Sequence, residues 1–438
     1  MNNVLIVTYY FPPSGGPGVQ RVLKFAKFLP EFGWQPTVLT VEDGEYPDYD
    51  ESLLEEIPPG TKVVRARTIE PYTLYRLFTG KRRKEKIPVG VLSMHEHASL
   101  RERLANKVRA NLFIPDARIG WIPFAVRAGK KAIRDRRASI IFTTSPPHSA
   151  ALVGARLRKA AGLPFVADLR DPWLEIDYYQ GFRRTKLATA IDARLERKAL
   201  SRADAIITIS PSLGDLIRSK RYNRNVHVIT NGYDEDDFRG IPRQEVSRFT
   251  IAHVGNAGAQ RNPRTLFSVL SALAARESEF RKDLKLQFVG NVDRSIHEEL
   301  HALGLEELSE FVPYVPHRRA LEFMVNASIL LLVINQNEQN RGILTGKLFD
   351  YIGARRPVLA VGPVGGDADR ILRESGAGVL VDHDERTRTE EVLQDFYRRW
   401  KSGSLTVETH DGERYSRRAQ AKHLSSLFDS LMGGKRHA

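Results

Sequence analysis

The amino-acid sequence predicts an α/β protein of two domains, each a parallel sheet covered by helices. Three observations predict it: the length of 438 residues, the alternation of short apolar runs with amphipathic segments, and a turn-rich segment over 231–242 between two such series. A chain of this length usually forms two or three domains. Strands that alternate with helices give parallel sheets, which bind ligands at the carboxyl ends of their strands. We therefore expect two Rossmann-like domains that face each other across a cleft.

The first series of elements precedes the turn-rich segment. Its apolar runs predict strands over 4–8, 36–40, 62–66, 139–143, 164–167, 205–209 and 227–229. Its amphipathic segments predict helices over 19–32, 121–134, 148–161, 185–201 and 211–219. We expect the first domain to span residues 1–235.

The second series follows the same alternation, and we expect its domain to span 236–415. The predicted strands lie over 248–254, 285–289, 311–312, 328–334 and 358–361. The predicted helices lie over 263–275, 294–303, 318–325, 346–354, 368–374, 390–401 and 419–431. The last of these belongs to a C-terminal helix and basic tail, 416–438, which we expect to pack back on the first domain.

Composition excludes several classes of protein. With 42% apolar and 27% charged residues the chain is globular, and without cysteine it can hold neither disulfides nor thiolate metal sites. The N-terminal residues read as a strand and a turn, unlike a signal peptide. The longest apolar run, 327–334, is too short to span a bilayer, which needs about 20 residues. We expect a cytoplasmic protein.

Positive charge is concentrated in one stretch. The net charge is +14, and residues 81–137 alone hold 16 basic and 5 acidic side chains. Such a stretch attracts a polyanion or an anionic membrane. Residues 72–113 mix aromatic and leucine side chains with Lys and Arg, and 99–113 have an apolar stripe at helical spacing. This pattern is typical of a helix at a membrane surface, and equally of a core-packed helix with a basic outer face.

Two glycine-rich turns follow predicted strands and can approach a phosphate. The first contains Gly15 and Gly16 and leads towards Arg21. The second contains Gly255 and Asn256 and is followed by Arg261. Backbone amides and helix N-termini bind anions, so both turns predict phosphate contact, although each also fits a plain strand-to-helix connection.

Polar groups also end the fourth and fifth predicted strands. His148 lies at the start of a helix, where it faces the ligand edge of a sheet or simply caps the helix. The group at the end of the fifth strand predicts an acceptor site, in which carboxylates accept hydroxyl groups and an indole covers a sugar ring. Arg170 could instead pair with a carboxylate and brace the loop. The residues in this group are Asp168, Arg170, Asp171 and Trp173, and we expect Arg21 to bind the acceptor with them.

The segment over 341–360 is the most informative in the second half. Thr345 and Gly346 can begin a helix whose amides meet a diphosphate, Lys347 can neutralise phosphate charge, and Asp350 can bind a ribose hydroxyl. A Walker loop is excluded because its first glycine would fall at Arg341 and its Ser/Thr at Leu348. A D-x-D at Asp234 and Asp236 fits a solvated linker better than a metal site, so we predict no metal and no cofactor.

The chain resembles the glycosyltransferase family 4, the retaining transferases of GT-B fold. The resemblance rests on the motifs FPPSGGPGVQR, SPPHS, DLRDPW, ITNGYD, HVGNAG and TGKLFDYIGARRPVLA, in this order. It is nearest to bacterial members that build capsule, exopolysaccharide or O-antigen chains. It implies that the first domain holds the acceptor and the second the nucleotide sugar.

The resemblance also implies residue roles. Gly15 and Gly16 would lie against the donor phosphate, His148 would contact the transferred sugar, and Arg261 and Lys347 would assist catalysis at the phosphates. Asp350 aligns with the family's second glutamate, the ribose ligand. The first glutamate would align with Gly342 and is missing, which leaves the donor sugar open.

The function predicted from the sequence and its family resemblance is a glycosyltransferase that is active without metal, and the resemblance implies that it retains the anomeric configuration. It would move a sugar from a nucleotide-sugar donor to a lipid-linked or polysaccharide acceptor during synthesis of cell-surface polysaccharide. The protein would be cytoplasmic, with peripheral attachment to the inner face of the membrane through residues 72–113. Two alternatives stay open: a nucleotide-sugar epimerase of the same fold, and a basic nucleic-acid-binding protein.

Overall fold

The computed structural model describes residues 1–46, 48–69, 111–175, 184–244, 246–336, 340–407 and 411–433. The chain divides into two compact units, one formed by residues 1–230 and 421–438 and the other by residues 231–420. Most of the predicted stretch 72–113 lies outside the described residues. Among the described helices, none has an apolar stretch of the length that a bilayer requires.

The first unit contains a parallel sheet in which the described strands have the order β3-β2-β1-β4-β5-β6-β7. Its strands are β1 Asn2–Val7, β2 Trp34–Val41, β3 Lys62–Ala66, β4 Ile140–Ser145, β5 Phe165–Leu169, β6 Ala205–Thr208 and β7 Val226–Val228. The central strands are buried on both faces because helices cover both sides, and their sequences are accordingly near-continuous apolar runs.

Helices cover both faces of this sheet. The described helices of the first unit include α1 Pro17–Phe28, α2 Ile122–Arg136, α3 Ser149–Ala161, α4 Lys186–Leu200 and α5 Pro211–Ser219. One apolar core is formed by the sheet and the four helices α2, α3, α4 and α5. The other is formed by the opposite face of the sheet, by α1, and by Leu424 and Phe428 of the C-terminal helix. These C-terminal residues are buried, so the last part of the chain belongs to the core of the first unit.

The second unit contains a parallel sheet whose described strands have the order β10-β9-β8-β11-β12-β13. Its strands are β8 Phe249–Val254, β9 Leu284–Val289, β10 Ser309–Val312, β11 Ile329–Val333, β12 Val358–Val361 and β13 Gly378–Val381. Because β8 and β11 are neighbours, the loops that follow them emerge side by side at one edge of the sheet. This edge carries the candidate site.

The second unit is also covered by helices on both faces. The described helices are α6 Arg264–Arg276, α7 Ser278–Asp283, α8 Arg294–Ala302, α9 His317–Val325, α10 Gly346–Ala354, α11 Asp367–Ser375 and α12 Arg386–Lys401, and the last described helix of the chain is α13 Arg417–Gly433. The predicted strands and helices of both halves appear in the structure with bounds that shift by a few residues.

Two elements of the second unit were missed by the sequence analysis. The strand β13 follows Ser-Gly-Ala-Gly, which reads as a turn, yet it pairs with β12. A Cβ on Gly378 would lie 2.0 Å from the Val358 carbonyl oxygen, so a glycine is required for the strands to approach. The short helix α7 was missed because it begins directly after α6, with only Glu277 between them.

The acidic segment before β8 is ordered by its own side chains. Asp234 is buried, and its carboxylate accepts a hydrogen bond from the backbone N–H of Asp236 at 3.1 Å. It thereby caps a short 3-10 helix over Glu235–Phe238. The D-x-D pattern therefore has a structural role here, although the expected solvated linker is wrong for Asp234.

Candidate functional site

The glycine turn after β8 admits a lysine from another element. Gly255 has φ +106°, a conformation that favours glycine, and a Cβ at this position would lie 2.6 Å from Cε of Lys347. The backbone N–H of Gly255 donates to the Val289 carbonyl at 2.7 Å, which fixes the turn. The glycine is therefore needed both for the turn and for the close approach of Lys347, which stands at the start of α10.

Two acceptors hold the ammonium group of Lys347. Its Nζ donates to Nε2 of His253 at 3.0 Å and to the backbone carbonyl of Asn256 at 2.8 Å. The other ring nitrogen of His253, Nδ1, lies 2.9 Å from the Leu331 carbonyl and must be the protonated one. The tautomer of His253 is thus fixed, with a lone pair on Nε2 directed at Lys347.

A second cation reaches the same carbonyl. Arg261 donates to the Asn256 carbonyl at 3.4 Å through one terminal nitrogen, and its Nε donates to Oδ1 of Asn335 at 2.6 Å. Asn335 follows β11, so the neighbouring ends of β8 and β11 bring these groups together. Two positive side chains therefore converge on one backbone oxygen at the carboxyl edge of the sheet.

The electrostatics of this cluster favour an incoming anion. Burial, with a further effect from the charge of Arg261, lowers the pKa of Lys347 to about 7. Burial, followed by the charge of Lys347, lowers the pKa of His253 to about 3, so this imidazole is neutral at physiological pH. No carboxylate offsets the two cations in these contacts. An anionic ligand would restore the ordinary protonation of Lys347.

The amino end of α10 adds unused donors and a polar group. Thr345 occupies the N-cap position without a side-chain capping bond, and its hydroxyl is buried without a hydrogen-bond partner. Gly346 follows it and is exposed. A helix start leaves its first N–H groups free and carries partial positive charge. Thr345 and Gly346, which were predicted to bind the donor nucleotide, therefore lie next to Lys347 in the chain. They present a hydroxyl group and backbone N–H groups to which an anion could bind.

Asp350 lies one turn further along α10 and is half-buried. Burial raises the pKa of this carboxyl to about 6, and the charges of His317 and Arg417 only partly oppose the rise. A carboxylate in such surroundings gains from a hydroxyl donor. Its predicted contact with a ribose hydroxyl stays a prediction.

In the first unit, the glycine loop after β1 forms the N-terminus of α1. Gly16 is the N-cap residue and is exposed, while the N–H of Gly15 donates to the Asp48 carbonyl at 2.9 Å. The amide of Gly15 is therefore already used within the loop. Gly16 is exposed, with nothing within 4 Å of its Cβ position, and so keeps the open position expected of an anion contact.

Arg21 and Asp168 are bound to each other in the core of the first unit. Nε and one terminal nitrogen of Arg21 donate to the two carboxylate oxygens at 3.0 and 2.8 Å, and both side chains are fully buried. Arg21 also donates to the carbonyls of Ile229 and Thr230, and Asp168 accepts from Thr144. In this structure the pair joins α1 to the ends of β5 and β7; its predicted contact with an acceptor stays a prediction.

His148 and Trp173 form a buried stack. Their rings lie 4.4 Å apart at an interplanar angle of 14°, and both residues are at most 1% exposed. The indole N–H of Trp173 donates to Oδ1 of Asp192 at 2.8 Å, which fixes the ring. Trp173 therefore supports the imidazole with its face, while its own N–H is occupied elsewhere.

The imidazole of His148 is held neutral. Burial, followed by the charge of Arg170, lowers its pKa to about 3, and the carbonyl of Pro172 offsets this only partly. Apart from the weak contact with the Pro172 carbonyl, neither ring nitrogen has a hydrogen-bond partner, although both are buried. Such orphaned groups cost free energy unless a ligand satisfies them. The arrangement suits a hydrogen-bonding contact better than proton transfer near neutral pH.

Arg170 and Asp171 precede Trp173 in the chain and are half-buried. Arg170 donates to the carbonyls of Ser145 and Pro146 at 3.3 and 2.6 Å, so it braces the loop that leads to His148. Burial raises the pKa of the Asp171 carboxyl, and the charge of Arg170 opposes the rise. Among the contacts of the described residues, none is a hydrogen bond or salt bridge to the carboxylate of Asp171. Asp171 is therefore the predicted acceptor residue whose carboxylate is best placed to bind a ligand.

Three contributing residues were missed by the sequence analysis. No role was predicted for His253 of the HVGNAG motif, although its position at the end of β8 could have indicated a contact at the site. Asn335 follows β11, and no signal in the sequence showed that β11 would pair with β8 and bring Asn335 to Arg261. Asp192, which orients Trp173, lies 19 positions along the chain inside α4, and no sequence pattern connects the two.

One family profile matches part of the chain. Residues 82–237 match Glycosyltransferase Family 4, so the chain carries a domain of this family over that range. The predicted enzyme class, a glycosyltransferase, is confirmed at the level of this domain. None of the curated proteins compared with the chain matches it.

Solved structures resemble the whole chain. Sucrose-phosphate synthase from Thermosynechococcus elongatus matches with a TM-score of 0.62 and 15% identity, over 99% of this chain and 100% of that one. HepE from Anabaena, in complex with UDP-glucose, matches with a TM-score of 0.60 and 13% identity, over 98% and 99% of the two chains. A protein of Listeria monocytogenes described as a UDP-N-acetylglucosamine 2-epimerase matches with a TM-score of 0.54 and 10% identity, over 99% and 97%. At these identities the likeness concerns the fold, and it confirms the predicted pair of Rossmann-like α/β domains of GT-B type.

Proposed function

We propose that the chain, which carries a Glycosyltransferase Family 4 domain over residues 82–237, transfers a sugar from a nucleotide-diphosphate donor to a lipid-linked or polysaccharide acceptor. The reaction retains the configuration at the anomeric carbon and serves the synthesis of cell-surface polysaccharide. The second unit binds the donor and the first unit binds the acceptor.

The observation that carries the proposal is the pair of cations at the Asn256 carbonyl. Lys347 and Arg261 approach this oxygen at 2.8 and 3.4 Å without a carboxylate between them. The glycine at position 255 keeps the approach open, and α10 begins at the same place. Cations, exposed amides and a helix N-terminus together favour a diphosphate, whose charge increases when the donor sugar leaves.

In the proposed reaction the bond between the sugar C1 and the diphosphate oxygen breaks, and a bond between C1 and the acceptor oxygen forms. The acceptor hydroxyl attacks on the face that the diphosphate leaves, and its proton passes to the departing diphosphate. Lys347 and Arg261 stabilise the charge that develops on that group. Because both cations belong to side chains, we propose that no metal is needed, and activity should persist in EDTA.

His148 supports the first unit's part in this proposal. Its neutral imidazole has two buried nitrogens without a well-formed hydrogen bond, and Trp173 stacks on its face. We assign it a hydrogen bond to a hydroxyl of the transferred sugar. Asp171, and with it the loop that Arg170 braces, would receive acceptor hydroxyl groups.

The proposed setting is the inner face of the cytoplasmic membrane, where lipid-linked acceptors are made. The basic stretch 72–113 is the segment that the sequence indicates for this contact. A purified protein that transfers sugar to a soluble acceptor analogue but gains activity on vesicles would fit this setting.

The first experiment is a thermal-shift and calorimetric screen of the full chain against UDP, GDP, TDP and their sugars. A ligand at 100 times its dissociation constant should raise the free energy of unfolding by about 2.7 kcal/mol. The Lys347→Met variant should lose this response, whereas Lys401→Met, on an exposed helix of the same unit, should keep it. Absence of any nucleotide response in the unmodified chain would end the proposal.

The second experiment separates the transferase from its alternatives. The donor that binds is incubated with and without an extract of lipid-linked acceptors, and the anomeric configuration of the product is read by proton NMR. Transfer that requires acceptor and retains configuration supports the proposal. Turnover of the nucleotide sugar without acceptor would favour an epimerase, and salt-sensitive RNA binding without nucleotide binding would favour a nucleic-acid-binding protein.

A further inference from the structure

One face of the first unit carries many cations and almost no anions. Helix α3 packs against both α2 and α4, so these three helices form one layer on the sheet. We call their outer surface the three-helix face. Its exposed lysines and arginines are Arg127, Lys130, Lys131, Arg134, Arg136, Arg137, Arg156, Lys159, Lys186, Arg194, Arg197 and Lys198. Asp135 is the one exposed acidic residue on the described part of these helices.

The cations of the three-helix face are not neutralised by ion pairs. Among the described residues, no salt bridge involves any of the twelve, although Arg197 lies over the ring of Tyr222. The acidic residues of α4 are turned inward: Asp192 pairs with Arg184, and Glu196 pairs with Lys220. The face therefore keeps nearly its full formal charge.

The second unit shows that this chain can pair its surface cations. On its exposed helices, Arg294 pairs with Glu298 at 2.7 Å, Arg388 with Glu391 at 3.0 Å and Arg398 with Asp395 at 2.7 Å. These pairs stand three or four positions apart, the spacing at which helical side chains meet. The three-helix face lacks such acidic neighbours, with Asp135 as the one exposed acid on its described helices, so its cations stay unpaired.

The helix dipole accounts for only some of these cations. Arg134 and Arg136 lie in the last turn of α2, and Arg197 and Lys198 in the last turn of α4, where positive charge is favourable. Lys130 lies in the middle of its helix, as do several other members of the face. A ligand for the whole surface explains them better.

Apolar side chains are exposed among the cations. Leu187 is 71% exposed and Ile191 is 43% exposed, one turn apart on α4. Lys186 and Arg194 flank them on the same helix, and both are exposed. Aliphatic groups surrounded by cations suit the interface of a bilayer, whereas the phosphates of a nucleic acid require the cations alone.

We propose that the three-helix face docks the protein on an anionic lipid bilayer, with Leu187 and Ile191 entering the headgroup layer. The choice of a membrane rests on the proposed function, because a lipid-linked acceptor would be presented there. The contact is built from described helices and is distinct from the stretch 72–113.

The test is co-sedimentation of the full chain with vesicles of phosphatidylcholine and phosphatidylglycerol at 7:3, compared with phosphatidylcholine alone. The test variant combines Arg127→Glu, Lys130→Glu, Lys131→Glu and Arg194→Glu, which all lie before the last turns of α2 and α4. The control variant combines Arg281→Glu, Arg294→Glu, Arg388→Glu and Arg398→Glu in the second unit. Both sets lower the net charge of +14 by the same eight charges.

We expect binding to the anionic vesicles at 50 mM salt and release at 500 mM, where screening is much stronger. The test variant should bind at least tenfold more weakly, and the control variant within about twofold of the unmodified chain. Leu187→Ser with Ile191→Ser should weaken binding severalfold without changing the net charge. Thermal unfolding and transfer to a soluble acceptor should stay unchanged in the test variant.

Three results would overturn the proposal: no binding of the unmodified chain at 50 mM salt, equal losses in the two charge-reversed variants, or tight RNA binding with no vesicle binding. The vesicle assay contains no sugar, so its failure would leave the proposed transferase activity standing. Conversely, a chain that binds vesicles but no nucleotide would contradict the proposed function alone.

Discussion

Lys347 donates a hydrogen bond to Nε2 of His253 across 3.0 Å, and the Leu331 carbonyl fixes the opposite nitrogen of the ring at 2.9 Å. The imidazole is neutral, because burial lowers its pKa to about 3. His253 thus acts as a positioning residue that holds the ammonium group next to Gly255 before any anion arrives. Such preorganised charge is more effective than charge that must be ordered during the reaction.

His253→Phe should raise the KM for the donor about tenfold and leave the acceptor KM unchanged, because the loss of the acceptor nitrogen frees Lys347. In a Lys347→Met background the same substitution should have little further effect. A double-mutant cycle on the donor KM measures this coupling. His253→Gln, which can still accept a hydrogen bond, should recover part of the loss. Additive effects of the two substitutions would reduce His253 to a packing residue.

The affinity for a nucleoside diphosphate should fall as the pH rises from 7 to 9. Burial lowers the pKa of Lys347 to about 7, so the free protein loses this charge over that range, whereas a bound diphosphate raises the pKa again. Binding must then take up a proton. Calorimetry in buffers of different ionisation enthalpy should detect the uptake, and the affinity should fall about tenfold per pH unit above 7. The Lys347→Met variant should bind weakly with a flat profile, and an equally steep profile in that variant would contradict the assignment.

Gly255→Ala should destabilise the protein and also impair donor binding. The residue has φ +106°, and the added Cβ would lie 2.6 Å from Cε of Lys347, so the lysine must move. We expect a loss of about 1–3 kcal/mol in the free energy of unfolding and a donor affinity reduced at least tenfold. Gly304→Ala is the matched control, since Gly304 also has positive φ, +65°, with nothing within 4 Å of its Cβ position. It should lose some stability and keep its donor affinity; equal affinity losses would point to general unfolding.

His148 should contribute through hydrogen bonding without titrating in the working pH range. Its pKa is lowered to about 3 by burial, so the imidazole is uncharged from pH 5 to 9. We expect His148→Gln to retain roughly a tenth of kcat and His148→Leu to lose at least a hundredfold, a range typical of one positioned polar group. The pH–rate profiles of the unmodified chain and of His148→Gln should have the same shape. A limb near pH 6 that disappears in the variant would show proton transfer instead.

Most strands and helices could be predicted from the sequence, because apolar periodicity and turn residues are local signals. The apolar run that becomes β1 and the amphipathic segment that becomes α10 were predicted with nearly the observed bounds. The strand β13 was missed because glycines at its start read as a turn, and only the pairing with β12 explains them. Local patterns therefore fail where a close approach of two backbones decides the residue.

The candidate site was predicted in its parts. Lys347, Arg261 and Gly255 were each identified from turns and helix starts, which are visible along the chain. Their convergence on the Asn256 carbonyl depends on β8 and β11 being neighbours, and no strand order was predicted from the sequence. The sequence also could not show whether Arg21 and Asp168 bind each other or a ligand, because arginine and aspartate are typical of both roles.

The sequence by itself determined four features: the two α/β halves, the glycine turns, the basic character and the family resemblance. It could do so because periodicity, turn chemistry and charge are properties of neighbouring residues. The tertiary structure alone decided that His253 orients Lys347, that Trp173 supports His148, and that the acids of α4 face inward while its cations face outward. The physical reason is that desolvation and hydrogen-bond geometry depend on which side chains meet across elements, and that is fixed only when the sheets assemble.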